Sequence, residues 1–375
     1  MTSTILVILI ATVFFVIVPG VGAFTVRHNW RTFRRRVTEA SLLPPLDRRE
    51  PASSLPSQDN RRHFLGALEG IQDDHIIWIH GSDSTLAVDM NRSDVFVLPY
   101  DNSGSPDAQL VRTSWRRAGT LIEGTKVLVA GAVDPAGTHP MMHATQDDRV
   151  LVVFYEGPEK SLVRRSIWNG RQLNEYWNQL TPASLVAGMF ALVTVAYMLL
   201  RQPMGGALAV FAMAIAAIPV MPLLPPGIGM FLLYRSWWRR GRLLRAHRDI
   251  VRLPSRYLRP GELCGTLPGG EEYCRRSVGA WRANEYQERG VPVVHAPVQI
   301  ESVSFEVYGR PGVAELEEPH APLAELIAIA GEPEQVSRQC QQTARRFEFV
   351  SIVALALGIA MNLVGAIALM RLVFR

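Results

Sequence analysis

Cysteine and charged residues are scarce in this chain. Its 375 residues include 3 cysteines, and only 19% are charged, whereas about a quarter is usual in a soluble domain. Three cysteines are too few for a disulfide-rich secreted module. A hydrophobic content of 48% argues against a disordered chain, and a net charge of only +5 argues against a free nucleic-acid binder.

The sequence is instead rich in long apolar runs. Four uncharged stretches have the length that a bilayer crossing needs, about 20 residues, and they cover residues 5–24, 183–200, 207–234 and 349–370. No positive charge precedes the first stretch, so it is interpreted as a retained anchor and not as a cleaved signal peptide. The sequence therefore predicts an α+β integral membrane protein with four transmembrane helices.

Four prolines interrupt the third stretch, namely Pro219, Pro222, Pro225 and Pro226. Each removes a backbone donor and clashes with the preceding turn, so we expect a kinked or broken helix. The simpler interpretation is a helix that ends early and resumes at Gly227. The alternative is a break that lines a cavity and forms a site.

Lysine and arginine are unevenly distributed about these stretches, with eighteen near one set of ends and three near the other. The positive-inside rule then places both polar segments in the cytoplasm and both termini outside, in what we expect to be a bacterial inner membrane. Tryptophans lie among the basic residues, and we predict contact with anionic headgroups and not with nucleic acid. The residues predicted at the membrane interface are Trp30, Arg34, Arg35, Arg36, Trp237, Trp238, Arg239 and Arg240.

Two parts of the chain share a pattern at a constant offset of 207 residues. The matching pairs are Pro19 and Pro226, Gly20 and Gly227, Gly22 and Gly229, Phe24 and Phe231, and Trp30 and Trp237. Acidic Gly-Pro turns also precede the second and fourth apolar stretches, at residues 156–159 and 331–334. We predict a tandem repeat, although all membrane borders collect glycine, proline, tryptophan and arginine.

The repeat divides the chain into alternating membrane and cytoplasmic parts. The first polar segment holds short β-branched runs separated by turn residues, which predict a small barrel or sandwich. We expect the second to be a reduced relative of the first, or else a plain α+β insertion. The predicted parts are helix 1 with its basic collar (1–36), a linker (37–60), a β-rich domain with a basic helix (61–180), a transmembrane hairpin with a second collar (181–248), a second cytoplasmic domain (249–346) and helix 4 (347–375).

Part of the first polar segment has a distinctive order of elements. Residues 123–131 read EGTKVLVAG, a strand between two glycines, and the strand at 150–154 is followed by an acidic turn and the basic residues of 159–165. These features resemble the membrane-anchored GIDE-type domain family over residues 120–180. The resemblance implies a β-rich domain between two membrane spans. It does not imply ubiquitin ligase activity, because family members owe that activity to a RING finger that this sequence lacks.

The sequence contains few motifs that indicate a catalytic or binding site. The chain has no Gly-x-Ser-x-Gly elbow and no Walker or dinucleotide loop. Cys264 and Cys274 have nine residues between them and no paired ligands nearby, so we expect two reduced thiols and neither a zinc site nor a disulfide. No catalytic, cofactor-binding or metal-binding residue is predicted. Within the fourth stretch, Gly358, Asn362 and Gly365 predict a helix-packing face.

The leading functional hypothesis is a non-enzymatic multi-pass membrane protein that acts as a scaffold, accessory or assembly subunit. Its cytoplasmic β-domains would bind a protein partner or a second copy of the chain. One alternative is a transport or channel component with a path at the proline-broken helix. The other is a membrane-border enzyme acting on lipid, for which His28 and His247 are the histidines beside the apolar stretches.

Overall fold

The structure is a computed structural model of the chain. It describes residues 2–46, 60–73, 75–82, 84–99, 110–118, 122–134, 140–146, 148–172, 178–203, 205–259, 261–295, 297 and 304–373. Two of the predicted parts lie partly outside the described residues: most of the linker (47–59) and the end of the basic helix (173–177).

The content is mixed α and β, as predicted. The helices are α1 (Thr2–Thr12), α2 (Val18–Ala40), α3 (Trp115–Ala118), α4 (Leu162–Gln172), α5 (Leu180–Leu200), α6 (Gly206–Ala216), α7 (Gly227–Val251), α8 (Ala280–Glu288) and α9 (Pro333–Val373). A π-helical turn, Val13–Ile17, joins α1 to α2, and a short 3₁₀ turn, Met221–Leu223, lies between α6 and α7.

The strands fall into two groups along the chain. Those of the first polar segment are β1 (Arg61–Gln72), β2 (Ile76–His80), β3 (Thr85–Asp89), β4 (Ser93–Leu98), β5 (Val111–Thr113), β6 (Lys126–Asp134), β7 (Met141–His143) and β8 (Val150–Tyr155). Those of the second are β9 (Cys264–Thr266), β10 (Glu272–Val278), β11 (Val293–Val294), β12 (Phe305–Pro311), β13 (Leu316–Glu317) and β14 (Ile327–Ala330).

The chain divides into two compact units. One, here called the helical unit, comprises residues 1–31, 174–244 and 341–375, and the other, the β-rich unit, comprises residues 32–173 and 245–340. The two polar segments, predicted as separate domains, therefore belong to one unit.

Three helices of the described chain are long and apolar enough to cross a membrane: Ser3–Ala40, Leu180–Leu200 and Pro333–Ala366. The third predicted stretch, residues 207–234, is not among these three, and it is a broken helix, as its four prolines predict. Helix α6 is only 11 residues long and ends at Ala216, and the chain becomes α-helical again at Gly227. Pro219, Pro222, Pro225 and Pro226 all lie in the gap, where their missing donors prevent an α-helical ladder.

Asn362 on α9 hydrogen-bonds to backbone groups in and directly after this gap. Its side-chain amide donates to the carbonyl oxygens of Met221 and of Leu224, the latter at 2.9 Å, and its Oδ1 accepts the N–H of Gly227 at 3.4 Å. The backbones approach closely here, because a Cβ atom on Gly227 would lie 2.9 Å from the carbonyl oxygen of Gly358. Two of the three predicted packing residues, Gly358 and Asn362, thus lie in this contact.

A similar contact forms at the π-helical turn of the first span. The hydroxyl of Ser184 on α5 donates to the carbonyl oxygen of Phe14 at 2.5 Å. A Cβ on Gly188, one turn further along α5, would lie 2.6 Å from side-chain atoms of both Phe14 and Phe15. A polar side chain and a glycine four residues apart therefore face each irregular turn.

The first sheet of the β-rich unit closes on itself. Its strand order is β1-β2-β3-β7-β6-β8-β4-β5, and β1 also pairs with β6, so that five strands form a barrel-like ring. Apolar side chains such as Leu68, Ile79 and Val129 alternate into its core, as expected of strands with one buried face.

Five strands of the second sheet repeat a part of the first. In the first sheet β1, β6, β8 and β4 are neighbours, with β7 beside β6. In the second, β10, β12, β14 and β11 are neighbours, with β13 beside β12. Directions also agree, since β4 and β8 are parallel, like β11 and β14, and the other matched pairs are antiparallel. The second sheet has the topology expected of a reduced relative.

The close approach at Gly227 can be tested with two matched alanine substitutions. Gly227→Ala places a Cβ 2.2 Å from the Asn362 amide nitrogen, so we expect a loss of about 1–3 kcal/mol in the free energy of unfolding. Gly365→Ala is the control, because its Cβ meets nothing within 4 Å. The measurement is thermal unfolding in detergent micelles, and equal transition temperatures for the two variants would contradict the described packing.

Candidate functional site

A cavity of about 460 Å³ opens in the β-rich unit, a volume typical of small-ligand pockets. Its walls come from parts of the chain that are far apart in sequence: Ser41, Pro45 and His63, then Tyr257 with residues 267–271, and residues 320–324. Leucine, proline and alanine side chains form most of the lining, including Leu267, Pro322 and Leu323. A small number of polar groups are placed among them.

His63 on β1 is the most informative of these polar groups. Only 4% of it is exposed, and its Nδ1 lies 2.7 Å from the carbonyl oxygen of Leu43. Because a carbonyl can only accept, Nδ1 carries the proton and Nε2 presents a lone pair. Within the described part of the chain Nε2 has no hydrogen-bond partner. Burial lowers the pKa of His63 to about 4, so the ring is neutral at neutral pH.

Glu271 shapes the opposite wall by holding a loop in place. Its carboxylate oxygens accept the backbone N–H of His320 at 2.9 Å and that of Ala321 at 3.0 Å. Glu271 follows Gly269 and Gly270, whose φ angles of 110° and 87° favour glycine. The turn and the carboxylate together fix the 320–324 wall.

Tyr257 connects the cavity to the end of α2. Its hydroxyl donates to the carbonyl oxygen of Ser41 at 3.4 Å, and its ring packs edge-on against Tyr273 with centroids 5.5 Å apart. Burial raises the pKa of Tyr257, so the phenol stays protonated. No pattern in the sequence singles out His63, Tyr257 or Glu271, because their proximity arises only when distant segments pack together.

Several residues predicted at the membrane interface have partners within the fold. Arg36 is only 7% exposed and donates to Asp94 at 2.6 Å and to Asp148 at 2.8 Å. This prediction is wrong for Arg36, since a buried guanidinium held by two carboxylates is not available to headgroups. Arg34 is paired with Asp249 at 2.5 Å. Arg35 remains 73% exposed, with Glu39 at 3.5 Å.

The other predicted interface residues differ in exposure. Trp30 is buried, with 4% of its surface exposed. Trp237 and Trp238 are half-buried, whereas Arg239 and Arg240 are exposed.

The expectation of two reduced thiols at Cys264 and Cys274 is also wrong. The two residues lie directly opposite each other on β9 and β10, and their sulfurs are bonded at 2.13 Å. The register of the two strands brings the cysteines together. Their spacing in the sequence, with nine residues between them, does not predict that register. Glu272 lies beside the pair, and its carboxylate oxygen is 3.5 Å from the Cys274 sulfur.

Comparison with protein-family models, with curated proteins and with solved structures finds no match.

The neutral state of His63 predicts a pH dependence of stability. The His63 side chain takes up a proton near pH 6.5 in the unfolded chain and only near pH 4 in the folded chain. The free energy of unfolding is therefore highest above pH 6.5 and falls as the pH is lowered towards 4. The loss amounts to about 3 kcal/mol. Thermal unfolding across this range should show a flatter profile for His63→Gln than for the control His80→Gln, an exposed histidine. Identical profiles would contradict the burial of a neutral ring.

The disulfide predicts a specific labelling pattern. When the chain is isolated in the presence of a thiol alkylating agent without reductant, mass spectrometry should find Cys264 and Cys274 unlabelled, and reduction under denaturing conditions should make both reactive. Label on both residues before reduction would show that the bond does not form in the cell.

Proposed function

We propose that the chain is a non-enzymatic membrane protein that acts as an accessory or assembly subunit, with the cavity of its β-rich unit as the binding site for a segment of a partner protein. The observation that carries this proposal is the apolar cavity, whose wall includes the neutral ring of His63. A partner segment would fill the cavity with an apolar side chain.

The low pKa of His63 favours a binding role over a catalytic role. A group with a pKa of about 4 is a weak general base at neutral pH, because catalytic bases work best with a pKa near the operating pH.

We also propose four membrane crossings, with α6, the proline-containing turn and the start of α7 forming the third. The irregular turns support this, because the π-helical turn at 13–17 shifted by 207 residues falls on 220–224, which contains the turn Met221–Leu223. The carbonyl that Ser184 caps, Phe14, shifts onto Met221, whose carbonyl Asn362 caps. The same offset that relates the sequence motifs thus relates these contacts.

A tandem duplication accounts for both these contacts and the shared strand order. In the proposed arrangement each copy carries a β-rich segment between two crossings, which is the arrangement that the GIDE-type resemblance implies. The excess of arginine near the polar segments supports a cytoplasmic location for them, with both termini outside, in a bacterial inner membrane. The Cys264–Cys274 disulfide is the observation that opposes this location, because cytoplasmic thiols are kept reduced. The contacts of Asn362 support a packing role for the broken helix in preference to a transport path.

Site-specific photocrosslinking tests the proposed site. A photoreactive amino acid replaces His320, an exposed residue at the edge of the cavity, and in a control chain it replaces Asn284, an exposed residue of α8 away from it. In native membranes we expect a discrete crosslinked product from position 320 only. Ala321→Phe, which fills the cavity, should abolish that product without lowering the unfolding temperature.

Two outcomes would overturn the proposal. One is the same set of products from positions 320 and 284, and the other is a position-320 product that survives the cavity-filling substitution in a chain that remains folded.

A further inference from the structure

Three side chains with metal-binding chemistry meet at the β9 edge of the second sheet. Cys264 lies on β9, and Glu272 and Cys274 lie on β10. One sulfur or carboxylate oxygen from each belongs to a group of atoms that all lie within 4.8 Å of one another. Among the residues that the structure describes, no other group of three histidine, cysteine, aspartate or glutamate residues meets this condition. We call these three residues the Cys264 group.

The pairing of the two strands brings the Cys264 group together. Cys264 and Cys274 are directly opposite each other, with Cα atoms 4.0 Å apart. Glu272 precedes Cys274 by two residues on the same strand, and side chains two residues apart in a strand point to the same face of the sheet. The nine residues between the cysteines argue against a zinc site only as long as the register of the strands is unknown.

Two sulfurs and one carboxylate oxygen form a set of ligands that suits zinc. Thiolates select zinc over magnesium or calcium, and zinc also accepts carboxylate oxygen. Bonds of about 2.3 Å to sulfur and about 2.1 Å to oxygen place a sulfur and an oxygen on one tetrahedral ion about 3.6 Å apart. The Glu272 carboxylate oxygen lies 3.5 Å from the Cys274 sulfur, so these two ligands already have the required separation.

The group is accessible from solvent on one side. Cys264 and Glu272 are exposed, whereas Cys274 is only 6% exposed. A zinc ion with three protein ligands keeps a fourth position for water. The exposure of two of the three ligands gives both the ion and this water access to the site.

The disulfide must be broken before the two cysteines can bind a metal ion. A dithiol reductant gives two electrons and two protons to the S–S bond, which leaves two thiols, and the reductant itself becomes a disulfide. Zinc then replaces the two thiol protons, because the thiolate is the metal ligand. Two sulfurs on one tetrahedral zinc ion lie about 3.8 Å apart and are not bonded to each other. The disulfide and the metal site are therefore alternative states of the same pair.

We propose that the Cys264 group binds one zinc ion when the chain is reduced, and that the disulfide is the oxidised, metal-free state of the same site. Zinc joins β9 to β10 in the reduced chain, as the disulfide does in the oxidised chain. Because cytoplasmic thiols are kept reduced, the zinc-bound state is the one expected at the proposed cytoplasmic location. This inference does not depend on the proposed partner cavity.

Cobalt is the first probe, because cobalt thiolates absorb light and zinc binds such sites more tightly. The full chain in detergent is reduced with a water-soluble phosphine, freed of metal and titrated with Co²⁺ and then with Zn²⁺. We expect one Co²⁺ per chain, with sulfur-to-metal charge-transfer absorption and the visible bands of a tetrahedral ion, and we expect zinc to remove both signals. The oxidised chain should show neither signal.

Serine variants locate the site. Cys264→Ser, which changes an exposed residue, should weaken zinc binding about 100-fold, because removing even an outer partner of a metal ligand costs about 10–100-fold in affinity. The Cys264→Ser/Cys274→Ser double variant should show no charge-transfer absorption, and the single variant carries the test if the double variant does not fold. Cys340→Ser is the matched control, since it removes the free cysteine outside the group, and it should bind zinc like the wild type.

Glu272→Gln tests the third ligand. It keeps the size of the side chain but removes the charge, and it should weaken zinc binding by about tenfold or more while the oxidised chain still forms the disulfide. Glu288→Gln, at an exposed residue of α8 outside the group, should leave zinc binding unchanged.

The proposal is overturned if the reduced wild-type chain binds neither cobalt nor zinc, if the oxidised chain binds them equally well, or if Cys264→Ser binds zinc as tightly as the wild type. Wild-type affinity in Glu272→Gln would contradict the assignment of three protein ligands.

Discussion

Backbone groups inside a lipid bilayer must find partners within the protein, because no water is available to them. With the proposed membrane crossings, this constraint applies to the helical unit wherever its helices depart from α geometry. At the π-helical turn of the first helix, Ser184 supplies a donor to the Phe14 carbonyl. At the proline-containing gap, Asn362 accepts the N–H of Gly227 and adds a donor to the Met221 and Leu224 carbonyls, which also accept backbone N–H groups. The donors can reach these carbonyls because Gly188 and Gly358 allow close packing. The irregular turns and the small-residue contacts are therefore two aspects of one arrangement.

In the β-rich unit, ion pairs are the interactions that hold distant elements together. Carboxylates with little exposure connect elements that are far apart in sequence, as Asp249 does for α2, α4 and α7, and as Glu325 does for Arg164 on α4, which it meets at 2.9 Å. Arginines that composition assigns to the membrane surface are thus used, in part, to join the two polar segments into one unit. A buried charge that has lost its hydration needs such a partner.

Some of this architecture can be predicted from the sequence. Apolar runs of sufficient length predict three helices that are long and apolar enough to cross a membrane, and prolines 219–226 predict the interruption of the remaining stretch. The motifs at an offset of 207 residues predict a tandem repeat, which the shared strand order supports. The cavity could not be predicted, because His63, Tyr257 and Glu271 meet only through packing across about two hundred residues of chain. The Cys264–Cys274 bond depends on strand register, and the burial of Arg36 depends on Asp94 and Asp148. Neither the strand register nor the long-range ion pairs of Arg36 can be predicted from the neighbouring sequence.

The central claim is that two copies of one unit, each with a β-rich segment between two helices, make up the chain. An experimental structure of the full chain in lipid nanodiscs tests it most directly. The account predicts that Ser184 and Asn362 lie within hydrogen-bond distance of the Phe14 and Met221 carbonyls, and that β10, β12, β14 and β11 repeat the order of β1, β6, β8 and β4. An unbroken helix through residues 207–234, or a second sheet with a different strand order, would contradict it.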